Sequence, residues 1–397
     1  MTLDTQIPEC RYFVADLCRS CALIETPYAV QLREKDLACR NLLGEYGPAD
    51  DAWLPPVPGG VTEFRNRAKL AVGGETGAVA LGILDLSRDG DGRGIDLTEC
   101  LIHQPGVQQA IPRVAEFLNE TGLAPYSVPN RKGELKYAHL TEAPSGALMV
   151  RFVVRSSGAL DRIRALLPQL RELLPQATVI SVNLLPEHKA VLEGEREELL
   201  LGDSLEMDLG PVSLHLQPQS FFQTNTPVAQ ALYAQAAEWT AELDPASLWD
   251  LYCGVGGFAL FCAGTGAGDA SGIRDTVGIE VSEAAIRSAT RSAKDAGAPV
   301  RFSAGDATAF ALESAPGDAP ELVIVNPPRR GIGPELADWL EQSSTRSVIY
   351  SSCNPKSLAQ DLARMPSLRA VNARLFDMFP HTGHAEVMVL LERVDAK

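Results

Sequence analysis

Leu248-Trp249-Asp250-Leu251-Tyr252-Cys253-Gly254-Val255-Gly256-Gly257-Phe258 is a short apolar run, a glycine-rich turn and the start of a second apolar run. A β-strand that empties through glycines into a helix has this pattern. The first glycine permits the turn, and the others let a ligand approach the backbone. Further strand–loop junctions follow. Val277-Gly278-Ile279-Glu280, Phe302-Ser303-Ala304-Gly305-Asp306-Ala307, Leu322 to Arg330 and Val348 to Pro355 are β-favouring runs that end in polar or turn-forming residues. Such a series predicts an α/β half with a Rossmann-like open sheet, in which ligands sit in the crevice beyond the strand ends.

NAD, FAD and S-adenosylmethionine sites all use a glycine turn of this kind. Two details favour the last. Asp250 and Leu251 stand immediately before the turn, and Glu280 ends the next strand. A carboxylate there suits two ribose hydroxyls and repels phosphates, and the full G-x-G-x-x-G of a pyrophosphate site is missing. Gly254 at the turn and Asp306, expected beside the adenine, join the candidate cofactor residues. Asn326-Pro327-Pro328 alone would suggest methylation of an adenine amino group, but Arg329 stands where such sites carry an aromatic residue. Val348-Ile349-Tyr350-Ser351-Ser352-Cys353-Asn354-Pro355 places Cys353 at a strand tip. It reads either as a packed cysteine or as a nucleophile. Gln219 to Asn225 feeds a helix from Pro227 to about Leu243, and Phe379 to Val387 precedes a last strand, Met388 to Leu391.

At 397 residues the chain calls for two or three domains. Its 45% hydrophobic and 22% charged residues are those of a globular protein. The opening Met1-Thr2-Leu3-Asp4-Thr5-Gln6 lacks the basic-then-apolar pattern of a signal peptide. No apolar run approaches the roughly 20 residues that span a bilayer, so the cytoplasm is the expected compartment. A net charge of −16 argues against loose, charge-driven binding of nucleic acid but leaves room for a local basic groove. Among eight cysteines, Cys10, Cys18 and Cys21 crowd the start of the chain. Thiolates so spaced suit a metal, with Cys100 preferred over Cys39 as fourth ligand; zinc and iron–sulfur both remain open at this point. Pro55-Pro56-Val57-Pro58-Gly59-Gly60 punctuates the end of this segment.

Next comes a strand from Phe64 to Val72, whose alternation puts Arg65, Arg67 and Lys69 on one side. Arg131 to Tyr137, with Lys132 and Lys136, again mixes cations with an aromatic, and Ala147 to Arg155 reads as another strand. Helices are expected from about Val107 to Glu120 and from about Leu160 to Leu174. The expected division is a cysteine segment over 1–56, a central α+β domain over 57–212 and the cofactor domain over 213–397. The cationic faces are either ordinary solvated surface or phosphate contacts. Ala263 to Gly272, rich in glycine and alanine, reads as a flexible loop.

Taken together, Cys10…Cys18-x-x-Cys21, Phe222-Gln223-Thr224-Asn225, Asp250 to Phe258, Asn326-Pro327-Pro328-Arg329, Ser352-Cys353-Asn354-Pro355 and Pro380-His381-Thr382-x-His384-x-Glu386 resemble the RNA uracil-C5 methyltransferases, over nearly the whole length. The members that modify 23S rRNA are the most similar. The resemblance implies S-adenosylmethionine contacts at Gln223, Tyr252, Glu280 and Asn326. It implies a 4Fe-4S cluster on Cys10, Cys18, Cys21 and Cys100, with Cys353 as nucleophile and Glu386 as base. It also implies a specific uridine in a 23S rRNA hairpin loop as target, and a monomer. Arg65, Arg67, Lys69, Lys132 and Lys136 are then the expected phosphate contacts. Tyr252 departs from the commoner phenylalanine, the loop after Ala263 is longer than usual, and the acidity is unusual for an enzyme acting on rRNA. The chemistry needs a thiolate available near neutral pH and a base tuned toward neutrality, with Glu386 preferred over His384. A tRNA-directed methyltransferase, an amino-methyltransferase and a non-catalytic RNA-binding iron–sulfur protein are the rival readings.

Overall fold

The computed structural model describes residues 7–84, 94–189, 191–264, 274–315 and 318–394. The chain divides into two compact units. One, here called central, comprises Glu9–Arg19 and Thr62–Met207; the other, here called C-terminal, comprises Met1–Pro8, Ser20–Val61 and Asp208–Lys397. The expected first segment, 1–56, is thus shared between them. Of the expected Ala263 to Gly272 loop, residues 265–272 lie outside the described residues.

The chain opens with α1 (Arg11–Val14), which belongs to the central unit, and α2 (Tyr28–Leu43), which belongs to the C-terminal unit. The central sheet has strands β1 (Arg67–Glu75), β2 (Ala78–Ile83), β3 (Ile95–Asp96), β4 (Leu135–Glu142), β5 (Leu148–Val154), β6 (Ala177–Leu184) and β7 (Arg196–Leu201). Their order is β3-β2-β1-β4-β5-β6-β7, and only β5 and β6 run parallel. One face is apolar. Leu70, Leu140, Phe152 and Val182 pack against Ile111 and Phe117 of α3 (Pro105–Thr121) and Ile163 of α4 (Ser157–Ala165). The expected single helix from Leu160 to Leu174 is two: α4 stops at Leu166, and α5 (Leu167–Leu173) restarts with Pro168 in its first turn. Proline cannot donate within a helix interior, so it is tolerated where a new helix begins. The strand expected from Phe64 begins only at Arg67, and Arg65 instead bridges to His103.

The chain enters the C-terminal unit through β8 (Leu205–Asp208) and β9 (Ser213–Leu216). The strands that follow are β10 (Ser247–Leu251), β11 (Asp275–Glu280), β12 (Val300–Ala304), β13 (Leu322–Val325), β14 (Ser347–Ser352), β15 (Leu368–Phe376) and β16 (Glu386–Arg393). They form one sheet in the order β12-β11-β10-β13-β14-β16-β15. The first five pair in parallel with one another, and the central β13 and β14 are buried throughout, which fits the unbroken apolar run Leu322–Val325. β16 alone turns back between β14 and β15. Strand order reverses at β10, so the crevice above β10 and β13 is the topological switch point where α/β sheets bind ligands.

Residues 20–61 are woven into this C-terminal unit. Lys35 Nζ pairs with Asp377 Oδ1 (2.7 Å) and Tyr28 Oη donates to Asp377 Oδ2 (2.8 Å). Gly59 N–H donates to Tyr28 Oη, and Asn225 Nδ2 donates to Gly59 O. A Cβ on Gly59 would lie 1.9 Å from Asp377 O, so the backbone approach there requires glycine.

Candidate active site

Parallel register sets the site. Val325 at the end of β13 lies beside Tyr350 of β14, so Asn326 leaves the sheet while β14 runs on to Ser352. The antiparallel ladder of β14 and β16 ends at Ser352 opposite Val387. One step beyond that pair are Cys353 on one side and Glu386 on the other. Glu386 is also the last ladder partner of β15, opposite Phe376. Asn354 caps the helix that follows, Pro355–Leu362, and its Nδ2 donates to Arg329 O (2.9 Å), tying the Cys353 loop to the loop after β13.

Glu386 is 2% exposed, and Ser351 Oγ donates to its Oε1 at 2.6 Å. Burial drives its pKa up from 4.5 to about 7, and the Ser351 hydrogen bond restrains the rise. Nothing in the sequence singles out Ser351; only the inward alternation of β14 marks its place. Cys353 is half-buried. Burial first, then the Glu386 carboxylate, push its thiol above the ordinary pKa of 9.0, while Arg329 pulls it down. The two groups therefore disfavour being charged together. His384, the alternative base, is exposed, and its Nδ1 accepts from the Arg329 guanidinium (3.1 Å). The loop that delivers Glu386 is pinned at His381, a buried residue with φ of 62°. Its N–H donates to Gln31 Oε1, and its Nε2 meets Val61 O at 2.7 Å.

The candidate cofactor residues stand on the turns and strand ends of the C-terminal sheet and just ahead of one of its helices. Tyr252 and Gly254, with φ of 70° and 54°, form the turn after β10. Gly254 N–H donates to Glu280 Oε2 (3.2 Å) at the tip of β11. The hydroxyl that distinguishes Tyr252 from phenylalanine lies 3.4 Å from Thr308 Oγ1. Side chains at the next glycines are blocked: a Cβ on Gly257 would lie 2.5 Å from the Tyr233 ring. Asp306 is exposed and caps α9 (Ala307–Glu313) through Ala309 N–H (2.8 Å). Gln223 is buried just ahead of α6 (Thr226–Leu243), and Asn326 is half-buried at the end of β13. Asp250, under the turn, is fully buried with Oδ2 accepting from Ala259 N–H; burial raises its pKa to about 7.

Of the cysteines, Cys39 is a core residue of α2. Tyr12 Oη accepts from Glu99 N–H, and Arg11 pairs with Glu99, so the segment carrying Cys10 is fastened beside Cys100. Burial and the charges of Cys10 and Cys18 raise the pKa of Cys100, which makes these three thiols electrostatic neighbours. Soft thiols are apt ligands for zinc or iron–sulfur, yet among the described residues no three His, Cys, Asp or Glu side chains converge as a metal-ion group. Of the candidate RNA contacts, Lys69 and Lys132 are exposed and Arg67 is half-buried, its Nε donating to Thr141 Oγ1. Arg65 donates to Arg67 O. Lys136 is buried, its Nζ donating to Glu187 O at 2.6 Å, and is not a free surface cation.

Sheet order, glycine turn and switch-point crevice define a Rossmann-like α/β methyltransferase fold. Residues 318–394 match the family model described as tRNA (Uracil-5-)-methyltransferase. The 23S rRNA (uracil(747)-C(5))-methyltransferase RlmC of Halothiobacillus neapolitanus is 45% identical over 97% of this chain and 99% of its own length. That of Pectobacterium atrosepticum is 44% identical, again over 97% and 99%. The crystal structure of Pyrococcus abyssi tRNA (uracil-54, C5)-methyltransferase with S-adenosyl-L-homocysteine superposes with a TM-score of 0.75 at 26% identity, over 94% of this chain and 84% of that one. The chain belongs to the RNA uracil-C5 methyltransferase family.

The buried carboxyls make stability depend on pH. Unfolded, Glu386 releases its proton near 4.5; folded, it keeps it to about 7. The stability this group contributes is complete below 4.5 and is lost as pH rises through about 7. Asp250 acts in the same sense. We predict that Tm falls between about pH 5 and pH 8, and falls less in Glu386→Gln, by an amount on the order of 3 kcal/mol. Equal pH slopes in the two proteins would contradict the burial of an ionisable Glu386.

Proposed function

We propose that the chain transfers a methyl group from S-adenosylmethionine to C5 of a uridine in 23S rRNA, at the position for which its relatives are named, uracil 747. The observation that carries this reading is Cys353 and the near-neutral Glu386 on adjoining strand ends, beside the switch-point crevice. The full-length relatives favour rRNA over the tRNA named by the shorter family match and the Pyrococcus structure.

Uracil C5 is too weak a nucleophile to take a methyl unaided. The Cys353 thiolate adds to C6, and the electron pair of the C5–C6 double bond moves into the ring carbonyl as an enolate. When bound, the cofactor supplies an electrophilic methyl on a sulfonium. C5 takes that methyl as the carbon–sulfur bond to the donor breaks. Glu386 removes the C5 proton, the double bond re-forms, and the S–C6 bond breaks to return Cys353. A pKa of about 7 suits this proton transfer, since the base is substantially ionised at neutral pH and strong enough to act. Arg329 helps sustain the thiolate before attack. Gln223, Tyr252, Gly254, Glu280, Asp306 and Asn326 are the residues we assign to the donor. The target base is taken out of its RNA loop to reach the site, and Arg65, Arg67, Lys69 and Lys132 serve phosphate contacts. The enzyme acts in the cytoplasm as a monomer; among the described residues no helix is long and apolar enough to cross a membrane.

Cys10, Cys18, Cys21 and Cys100 are assigned to a 4Fe-4S cluster that fastens the N-terminal segment and takes no part in the polar chemistry. The fastening of the Cys10 segment beside Cys100, through Tyr12 and Arg11 to Glu99, supports the pairing of these two cysteines in the set.

Cys353→Ala should abolish 5-methyluridine in rRNA from cells carrying only that variant, as read by mass mapping. Glu386→Gln should instead accumulate a protein–RNA adduct that survives denaturation. A released, fully methylated product from Glu386→Gln would refute the base assignment. Anaerobically purified protein should be brown and hold about four irons per chain; one zinc per chain would remove the cluster.

A further inference from the structure

The central unit holds a cavity of about 260 Å³ that the reaction does not use. Tyr126, Lys136, Tyr137, Leu185, His188 and Lys189 are among its walls. Lys136 and Tyr137 are consecutive residues of β4, and consecutive strand residues point to opposite faces. Here the register of β4 on β5 slips between Leu135 and Tyr137, and both side chains reach the same cavity. A bulge that re-aims a side chain is a feature often placed next to a functional site. The opposite wall is equally fixed. Tyr126 Oη and His188 Nδ1 are 2.9 Å apart, and Lys136 Nζ lies 4.6 Å from the centre of the Tyr126 ring while donating to Glu187 O. Gly133 keeps the loop from Tyr126 to β4 closed: its φ is 104°, and a Cβ there would lie 2.0 Å from Pro125 O.

The chemistry of the lining points to one ligand class. Two tyrosines, a histidine and two lysines line a recess with apolar patches; Lys136 is engaged with the Tyr126 ring and Glu187 O, Tyr137 is half-buried and Lys189 exposed, and no aspartate or glutamate is among the described residues lining it, in a chain that carries 51. Aromatic faces beside cations take unstacked nucleobases and their phosphates. The volume is near the lower end for small-ligand cavities, which suits one nucleotide rather than a duplex.

We propose that this cavity binds one unstacked nucleotide of single-stranded RNA, its base against the Tyr137 ring and its phosphate at Lys189, distinct from the uridine that is methylated. It gives an acidic chain a cationic, aromatic grip on RNA. The proposal builds on the reading that RNA is the substrate.

The test is equilibrium binding of a fluorescein-labelled single-stranded oligoribonucleotide of about ten nucleotides to the full chain. Each variant is first matched to the parent in thermal melting. Loss of one base–aromatic stack predicts that Tyr137→Ala weakens binding about 10-fold, while Tyr137→Trp retains it. Lys189→Ala should lower the slope of log affinity against log salt by about one. With 4-thiouridine in the RNA, photocrosslinks should map to the peptide carrying Tyr137. Unchanged affinity in Tyr137→Ala, or crosslinks confined to other peptides, would overturn the proposal even if methyl transfer proceeds. Tyr137-dependent binding in a protein that methylates no RNA would uphold the cavity and sink the catalytic reading instead.

Discussion

β16 turns back into the sheet between β14 and β15, and the catalytic proposal rests on that insertion. A parallel strand in the same place would enter the sheet from the far edge and carry Glu386 away from the tips of β10, β13 and β14. The antiparallel ladder, with Ser352 opposite Val387, instead starts β16 where β14 ends. Cys353 leaves the sheet and Glu386 enters it at the same edge, a geometry fixed by the backbone hydrogen bonds of the ladder. Ser351, one pleat earlier and facing inward, holds the carboxylate in place.

The surroundings set how that pair is charged. Glu386 is sealed from water with one hydroxyl donor, so its proton is retained to near neutrality. The neighbouring thiol feels the same low dielectric and the carboxylate's charge, with Arg329 as its counterweight. Placing two anions in one dry recess is unfavourable, and the site relieves this by keeping them from ionising together. Bracing comes from far away in sequence. Gln31 and Val61 fix His381, and Tyr28 and Lys35 fix Asp377, so residues 20–61 hold the start and the middle of the segment that leads into β16.

The α/β character was legible because β-favouring runs such as Leu322–Val325 and Val348–Tyr350 are apolar and end in polar or turn-forming residues. Local residues specify such junctions. The long-range pairings were not legible. Nothing near Tyr28 announces a partner 349 residues away at Asp377, and the shared allegiance of residues 1–56 follows from such contacts. Alternation correctly suggested an outward face for Arg67 and Lys69, since Ala68 and Leu70 are buried between and beyond them. Nothing in Arg131 to Tyr137 announced that Lys136 is buried, because a register slip of β4 on β5 sets its side chain against Glu187 O. The helix break at Leu166 is marked in the sequence by Pro168, but apolar residues at helical spacing on either side mask it. Ser351 gave no signal, as a serine inside a buried strand is unremarkable until its acceptor is known.

The central claim is a transient bond between the Cys353 sulfur and C6 of a uridine, resolved by removal of a proton from C5. An RNA hairpin bearing 5-fluorouridine at the target offers no such proton, so the reaction should halt after methyl transfer. Mass spectrometry of the denatured, digested complex should then find the methylated fluoronucleotide attached to the peptide containing Cys353. A methylated hairpin released without any adduct, or an adduct on a different residue, would contradict the account.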